Sequence, residues 1–170
     1  MGVVYKALDT KLNREVAIKF LPQHLIKDKK NVERFKREAK AAASLNHPNI
    51  VTIYDTIEKD DQISIVMEYI EGKTLRDLID PNSQFPIPNC IDIMSQVADG
   101  LSKAHNASIV HRDIKPENII IDKEDRVKIL DFGLAKLKGV SKLTTESLTL
   151  GTIQYMSPEQ IRGQDVDYRS

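Results

Sequence analysis

Hydrophobic and polar residues alternate in short runs through the first part of the chain, a pattern typical of β-strands. The runs with this pattern cover residues 3–9, 15–20, 50–57 and 63–69. Polar turns at 10–14 and 58–61 join these runs in pairs and predict two hairpins. Between the hairpins, apolar and small residues recur at helical spacing from 32 to 45. The pattern predicts a small antiparallel sheet with one helix, whose apolar faces need a covering partner.

Helical patterns dominate after Gly72. Thr74 predicts the N-cap of a short helix that runs to Ile79, and the prolines in 81–88 predict a loop. From 89 to 106 an apolar stripe with i, i+3, i+4 spacing predicts a long helix. The residues of that stripe are Ile91, Met94, Val97, Ala98, Leu101 and Ala104.

Composition is that of an ordinary globular protein. The chain has 170 residues, 41% of them hydrophobic, and its 25 basic residues balance 25 acidic ones. This balance argues against a nucleic-acid or membrane partner for this segment. Cys90 cannot form an internal disulfide and is expected to be buried on a helix. Without a signal peptide or a spanning apolar stretch, the sequence predicts a cytoplasmic protein, while an anchor elsewhere in a longer protein stays open.

Two short motifs carry the chemistry of the sequence. One runs His111-Arg112-Asp113-Ile114-Lys115-Pro116-Glu117-Asn118, and the other is Asp131-Phe132-Gly133. They supply a candidate base, a cation for phosphate and two oxygen ligands for a metal, separated by a strand-sized interval. It is improbable that these residue types occur together at these fixed offsets by chance, because each residue type occurs at about one position in twenty. The combination resembles the active-site motifs of phosphoryl-transfer enzymes.

These motifs resemble those of the eukaryotic-type (Hanks-type) serine/threonine protein kinases of bacteria, and the resemblance extends from Gly2 to Ser170. It implies an α+β, two-lobed fold, truncated at both ends. Residues 1–70 would be an N-lobe without its first strand, and 71–170 a partial C-lobe that ends after the activation segment. It also implies that the parent protein uses ATP and Mg²⁺ to phosphorylate Ser or Thr of protein substrates.

The same resemblance implies a set of nucleotide-binding residues. Gly2 would be the last glycine of the phosphate loop. Lys19, in Val16-Ala17-Ile18-Lys19, would bridge the α- and β-phosphates, with Glu38 as its helical partner and Glu33 as a rival. In the hinge, Met67 would be the gatekeeper, while Glu68 offers its carbonyl and Ile70 its amide to the adenine. The expected apolar walls of the adenine pocket are Val4, Ala17 and Ile120.

In the catalytic loop the resemblance makes Asp113 the base and Lys115 the cation that compensates the γ-phosphate. Asn118 and Asp131 would ligate magnesium. His111 is expected to pack in the core beside the Phe132 position, and Arg112 to pair with a phosphate on the activation segment.

Residues 131–159 would form that activation segment, with candidate phosphosites at Ser141, Thr144, Thr145, Ser147 and Thr149. Thr152 together with Lys115 favours Ser/Thr acceptors, and self-association for autophosphorylation is one option. The alternative is a non-catalytic fragment or a binding-only module. A small-molecule kinase is disfavoured by Lys115 and by the loop at 151–159, which serve peptide substrates in the family.

Overall fold

A computed structural model of the chain describes residues 3–26, 28–60, 62–79, 86–132 and 153–170. The strands are β1 (Val4–Asp9), β2 (Arg14–Phe20), β3 (Ile53–Lys59), β4 (Gln62–Glu68), β5 (Gly72–Thr74), β6 (Ile119–Asp122) and β7 (Val127–Ile129). The helices are α1 (Gln23–Ile26), α2 (Lys29–Ala43), α3 (Leu75–Leu78), α4 (Ile87–Asn106) and α5 (Pro158–Ile161), with a 3₁₀ turn at Pro116–Asn118.

The four-stranded antiparallel sheet has the order β1-β2-β4-β3 and contains both predicted hairpins. The second hairpin begins at Ile53, later than the predicted residue 50. Ile50 and Val51 instead approach β7, where the Val51 amide donates to the carbonyl of Ile129 at 3.0 Å. This short stretch therefore connects the upper sheet to the lower part of the molecule.

Helix α2 packs beneath this sheet. Asp28 caps its first turn by accepting from the amide of Lys30 at 2.9 Å, so the helix begins before the predicted residue 32. Its buried residues Phe35, Ala39 and Ala42 repeat at helical spacing, as expected of an amphipathic helix. Helix α1 was not predicted, because four residues are too few to show a period.

The lower sheet, in the order β5-β6-β7, carries the segments that flank both sequence motifs. Thr74 caps α3 by accepting from the amide of Asp77 at 3.1 Å, which confirms the predicted short helix. Strand β5 was not predicted, since it is only three residues long. The predicted proline-rich loop at 81–88 ends earlier than expected, because α4 begins at Ile87 and contains Pro88 in its first turn. Residues 81–85 lie outside the described part of the chain.

The long helix α4 confirms the predicted helix, but only part of its apolar stripe is buried. The buried face consists of Ile93, Val97, Gly100 and Ala104. Ile91 and Met94 are instead 66% and 47% exposed. Apolar residues lie on two faces of this helix, so periodicity alone cannot tell which face meets the sheet. Cys90, expected to be buried, is only half-buried.

Close packing against β7 explains the choice of face. A Cβ added at Gly100 would lie 2.9 Å from Cδ1 of Ile129, so the glycine lets the helix approach the strand. Buried Asn49 joins the same contact, because its amide nitrogen donates to Gln96 of the helix and to the Val127 carbonyl, both at 3.0 Å. Helix α4, strand β7 and the loop after α2 are thus packed together through direct contacts.

Two hydrophobic cores result, one under the four-stranded sheet and one between α4 and the lower sheet. Ile53 packs against both of them. The molecule therefore has the predicted α+β two-lobed architecture, while the exact division at residue 70 stays a prediction. Of the described residues of the two sequence motifs, Phe132 belongs to the lower core and Ile114 packs against it.

Candidate active site

His111 anchors the candidate catalytic loop from below. Its side chain is buried, and its Nε2 donates to the carbonyl of Leu130 at 2.6 Å. Its Nδ1 accepts from the amide of Asp113 at 3.2 Å, and the ring meets Phe132 edge-on at 4.7 Å, as the sequence predicted. A ring that donates from Nε2 and accepts at Nδ1 is neutral. Burial lowers the pKa of His111, which agrees with this neutral form.

The three polar residues of the catalytic loop meet around the Asp113 carboxylate. The Lys115 ammonium lies 2.9 Å from Asp113 Oδ2. The Asn118 amide nitrogen donates to the Asp113 carbonyl at 2.7 Å and to Oδ2 at 3.1 Å, because the 3₁₀ turn folds Asn118 back onto the loop. Lys115 and Asn118 are both buried. The carboxylate is therefore held by two donors in a partly desolvated place, where charge interactions are strong.

Asp131 follows β7 and lies opposite the upper sheet. Its carboxylate forms an ion pair with Lys19 of β2, Nζ to Oδ2 at 2.5 Å. Its backbone is left-handed, with φ at 61°, a conformation that costs energy for a residue with a side chain. Such backbone strain is often found at functional sites. This ion pair bridges the two lobes across the candidate site.

Glu38, the expected partner of Lys19, is half-buried on the inner side of α2, whereas its rival Glu33 is exposed. This difference favours Glu38 over Glu33. Because the ion pair that Lys19 forms in the structure is with Asp131, the pairing of Lys19 with Glu38 stays a prediction.

The residues expected around adenine lie on neighbouring strands. Ala17 on β2 is directly opposite Met67 on β4, and Met67 is buried. Val4 lies on β1 opposite Lys19, with its side chain exposed, and Ile120 lies on β6 of the lower sheet. Behind Met67 is a cavity of about 10 Å³, which Asp131 and Phe132 also line. Gly2 lies outside the described residues, as do 133–152 of the activation segment.

The hinge has a contact that sequence reasoning missed. The Glu68 carboxylate accepts from Lys128 of β7 at 2.8 Å and from the Thr52 amide at 3.2 Å. The Glu68 amide in turn donates to the Thr52 carbonyl at 2.9 Å. Lys128 lies outside both motifs, so no local signal marks it. These contacts fix the residue whose carbonyl was expected to meet adenine.

A second missed residue is Gln160 in α5. Its amide nitrogen donates to the Arg112 carbonyl at 2.8 Å, so α5 is attached directly to the candidate catalytic loop. Arg112 is half-buried and its φ is 68°, again left-handed. In the described part of the chain, its buried Nε has no hydrogen-bond partner.

The oxygen ligands expected for a metal fit a magnesium ion bound together with phosphates. The NH₂ group of Asn118 is used by Asp113, which leaves its side-chain oxygen for coordination. Asp131 supplies a carboxylate. Among the described residues no group of three or more His, Cys, Asp or Glu could hold a metal alone. In magnesium sites of nucleotide-binding enzymes, one or two protein ligands and substrate phosphates share the ion. In the same part of the chain no helix is long and apolar enough to cross a membrane.

The protein kinase class of fold is defined by three features of this structure: a four-stranded sheet with helices α1 and α2, a mainly helical lower lobe, and a partly buried Asp-Lys-Asn cluster on the loop before β6. The sequence model described as "Protein kinase domain" matches residues 1–170, and the chain belongs to this family. It is 47% identical over 163 residues to the serine/threonine-protein kinase PrkC of Bacillus subtilis, covering 96% of this chain and 25% of that protein. It is 42% identical over 175 residues to the serine/threonine-protein kinase PknB of Mycobacterium leprae, covering 100% of this chain and 28% of that protein.

The fold is also similar to a solved structure, the PknI kinase domain of Mycobacterium tuberculosis. The TM-score is 0.78 at 30% identity, covering 99% of this chain and 62% of that one. The chain thus spans about a quarter of the length of the curated relatives it matches and less than two thirds of the solved domain.

Proposed function

We propose that the protein carrying this chain transfers the γ-phosphoryl group of MgATP to Ser or Thr hydroxyls of protein substrates. The observation that carries this proposal is the cluster of half-buried Asp113 with buried Lys115 and Asn118, together with the Lys19–Asp131 ion pair between the lobes. The similarity to named serine/threonine-protein kinases supports the acceptor class.

Each residue of the cluster has one role in this proposal. Asp113 accepts or orients the proton of the substrate hydroxyl. Lys115, already 2.9 Å from Asp113, compensates the charge that develops on the γ-phosphate during transfer. Asn118 and Asp131 hold magnesium, which supplies further charge compensation when it is bound with ATP.

The ion pair between Lys19 and Asp131 must rearrange for this chemistry. Lys19 is proposed to bind the α- and β-phosphates, and Asp131 to bind the metal, so neither can keep the other as its main partner. Glu38, half-buried on the facing side of α2, is the proposed new partner of the ammonium.

The adenine pocket is proposed to lie between the sheets. Val4 and Ala17 cover the base from above and Ile120 from below, while Met67 closes the back. The Glu68 carbonyl and the Ile70 amide meet the edge of the base. Gly2 is proposed to lie over the phosphates. A cytoplasmic location and protein substrates belong to the same proposal.

Substituting the phosphate-binding residues tests the assignment in the full-length protein that carries this chain. Lys19→Met and Asp131→Asn should each lower phosphate incorporation from labelled ATP by a factor of about 10² or more, since each removes a group aimed at the phosphates. Lys103→Met, an exposed lysine on α4, is the control and should retain full activity. Wild-type rates in both site variants would refute the site. Nucleotide binding by a wild-type protein without transfer would support the binding-only alternative.

Arg112 suggests how such a kinase is switched. A phosphate on the segment between 141 and 149 would give its guanidinium a charge-assisted partner and order that segment. We expect autophosphorylation at Thr145, Ser147 or Thr149, all of which lie outside the described residues. Phosphatase treatment should then lower the activity, and Arg112→Ala should abolish this response. Equal activity before and after treatment of the wild type would exclude the switch.

A further inference from the structure

The peptide bond that precedes the candidate base is held from both sides. Its N–H, on Asp113, donates to Nδ1 of His111 at 3.2 Å. Its carbonyl, on Arg112, accepts from Nε2 of Gln160 at 2.8 Å. Two opposed hydrogen bonds fix the rotation of a peptide plane, and this plane determines the direction in which Asp113 leaves the backbone.

Strain in the loop makes such a restraint necessary. Arg112 has φ at 68°. This conformation is unfavourable for any residue with a Cβ, and it persists only where neighbouring contacts stabilise it. His111 is part of the lower core and holds one side of the strained peptide. Gln160 comes from a different element, α5, and holds the other side.

Gln160 is itself fixed by the start of α5. Its side-chain Oε1 accepts from the backbone N–H of Ser157 at 2.9 Å, and the backbone N–H of Gln160 donates to Ser157 Oγ at 3.3 Å. Because Ser157 presents an N–H and Arg112 presents a carbonyl, only one orientation of the Gln160 side-chain amide satisfies both. Pro158, with its preset φ, begins the helix and stiffens this turn.

We propose that Gln160 is a positioning residue for phosphoryl transfer, which orients Asp113 through the carbonyl of Arg112. The inference rests on the proposed kinase function and adds a residue to it. In this arrangement the contact connects α5, which begins at the end of the expected activation segment, with the base. Asp113 then meets Lys115 and Asn118 in the geometry seen here only while α5 is docked.

Gln160→Glu is the sharpest test in the full-length protein. The glutamate has nearly the same size and keeps an oxygen for the Ser157 amide, but it turns a second oxygen instead of a donor toward the Arg112 carbonyl. Misplacing a reacting group by a fraction of an ångström lowers rates strongly, so we expect kcat to fall by about 10- to 100-fold. The KM for ATP should change less than twofold, because the side-chain hydrogen bonds that Gln160 forms in the described part of the chain are with Ser157 and Arg112 and not with the adenine pocket residues.

The matched control is Gln164→Glu, the same chemical change at an exposed position in the same segment. Titration with ADP gives the number of intact nucleotide sites in each variant, and kcat is expressed per site. This normalisation separates positioning from partial unfolding. Gln160→Leu, which lacks both polar atoms, should lose at least as much kcat as Gln160→Glu, whereas Gln164→Glu should match the wild type.

The outcomes distinguish this inference from the proposed function. A folded wild-type protein that binds nucleotide but transfers no phosphate would overturn the proposed function itself. An active wild type together with a Gln160→Glu variant whose kcat per site is within twofold would overturn only the role of Gln160. Loss of nucleotide sites in parallel with activity would assign Gln160 a structural role and also contradict the inference.

Discussion

At the scale of single residues, buried His111 makes folding sensitive to pH. Burial lowers its pKa below the ordinary value of 6.5, and Lys115 acts in the same direction, whereas the Leu130 carbonyl, Asp131 and Asp113 oppose the shift. The unfolded chain therefore binds a proton at a higher pH than the folded one does. By linkage, stability is full above pH of about 6.5 and falls as the pH decreases below it.

We accordingly predict that the melting temperature of the complete kinase domain rises between pH 5.5 and 7.5. His111→Phe, which keeps an aromatic ring beside Phe132, should flatten this rise while lowering the melting temperature at neutral pH, because it loses the bond to Leu130. Melting curves across this range by circular dichroism provide the measurement. An identical pH slope in both proteins would show that other groups control the dependence.

The sequence predicts the contacts between site residues that are close together in the chain, but not the contacts between residues that are far apart in it. Asp113, Lys115 and Asn118 share one short segment, so their motif predicts their meeting. Gln160 lies 48 residues from its partner Arg112, and Lys128 lies 60 residues from Glu68, with no local pattern at either end. Such contacts depend on how separate elements dock, which a single sequence does not encode in its periodicity.

At the scale of elements, the pair between Lys128 and Glu68 ties β7 to the end of β4. Its side chains are 15% and 25% exposed, unlike those of Lys123 and Glu71, which are 67% and 70% exposed. Partly buried pairs contribute more than surface pairs, which are screened by water. Lys128→Met should therefore lower the free energy of unfolding by about 1 kcal/mol, whereas Lys123→Met should change it within error.

Lys128→Met should also raise the KM for ATP, because Lys128 holds Glu68, whose carbonyl is proposed to meet adenine. Urea unfolding and ATP titration of the two lysine variants check both effects. A double variant with Glu68→Gln should show that the stability losses are not additive. Full additivity, or equal effects at Lys123 and Lys128, would contradict a specific link through this pair.

At the scale of the whole molecule, the sequence predicted the sheet, the helix beneath it and the long helix, because each has a regular hydrophobic period. It did not predict the buried face of α4. Both faces of that helix carry apolar residues, and only docking against β7 through Gly100 and Asn49 selects one. The other face is left with the exposed residues Ile87, Ile91, Met94 and Ala98.

This exposed row predicts the behaviour of the 170-residue chain on its own. Contiguous apolar surface drives association in water, so we expect the chain to form oligomers or aggregates and to bind a hydrophobic dye. Replacing Ile91 and Met94, which are 66% and 47% exposed, with lysine should shift the chain toward monomer.

Lysine at Ser95 and Ser102, exposed polar positions of the same helix, adds the same charge as a control and should have less effect. Size-exclusion chromatography with light scattering measures the change. A soluble wild-type monomer with a sharp cooperative melt would refute this prediction.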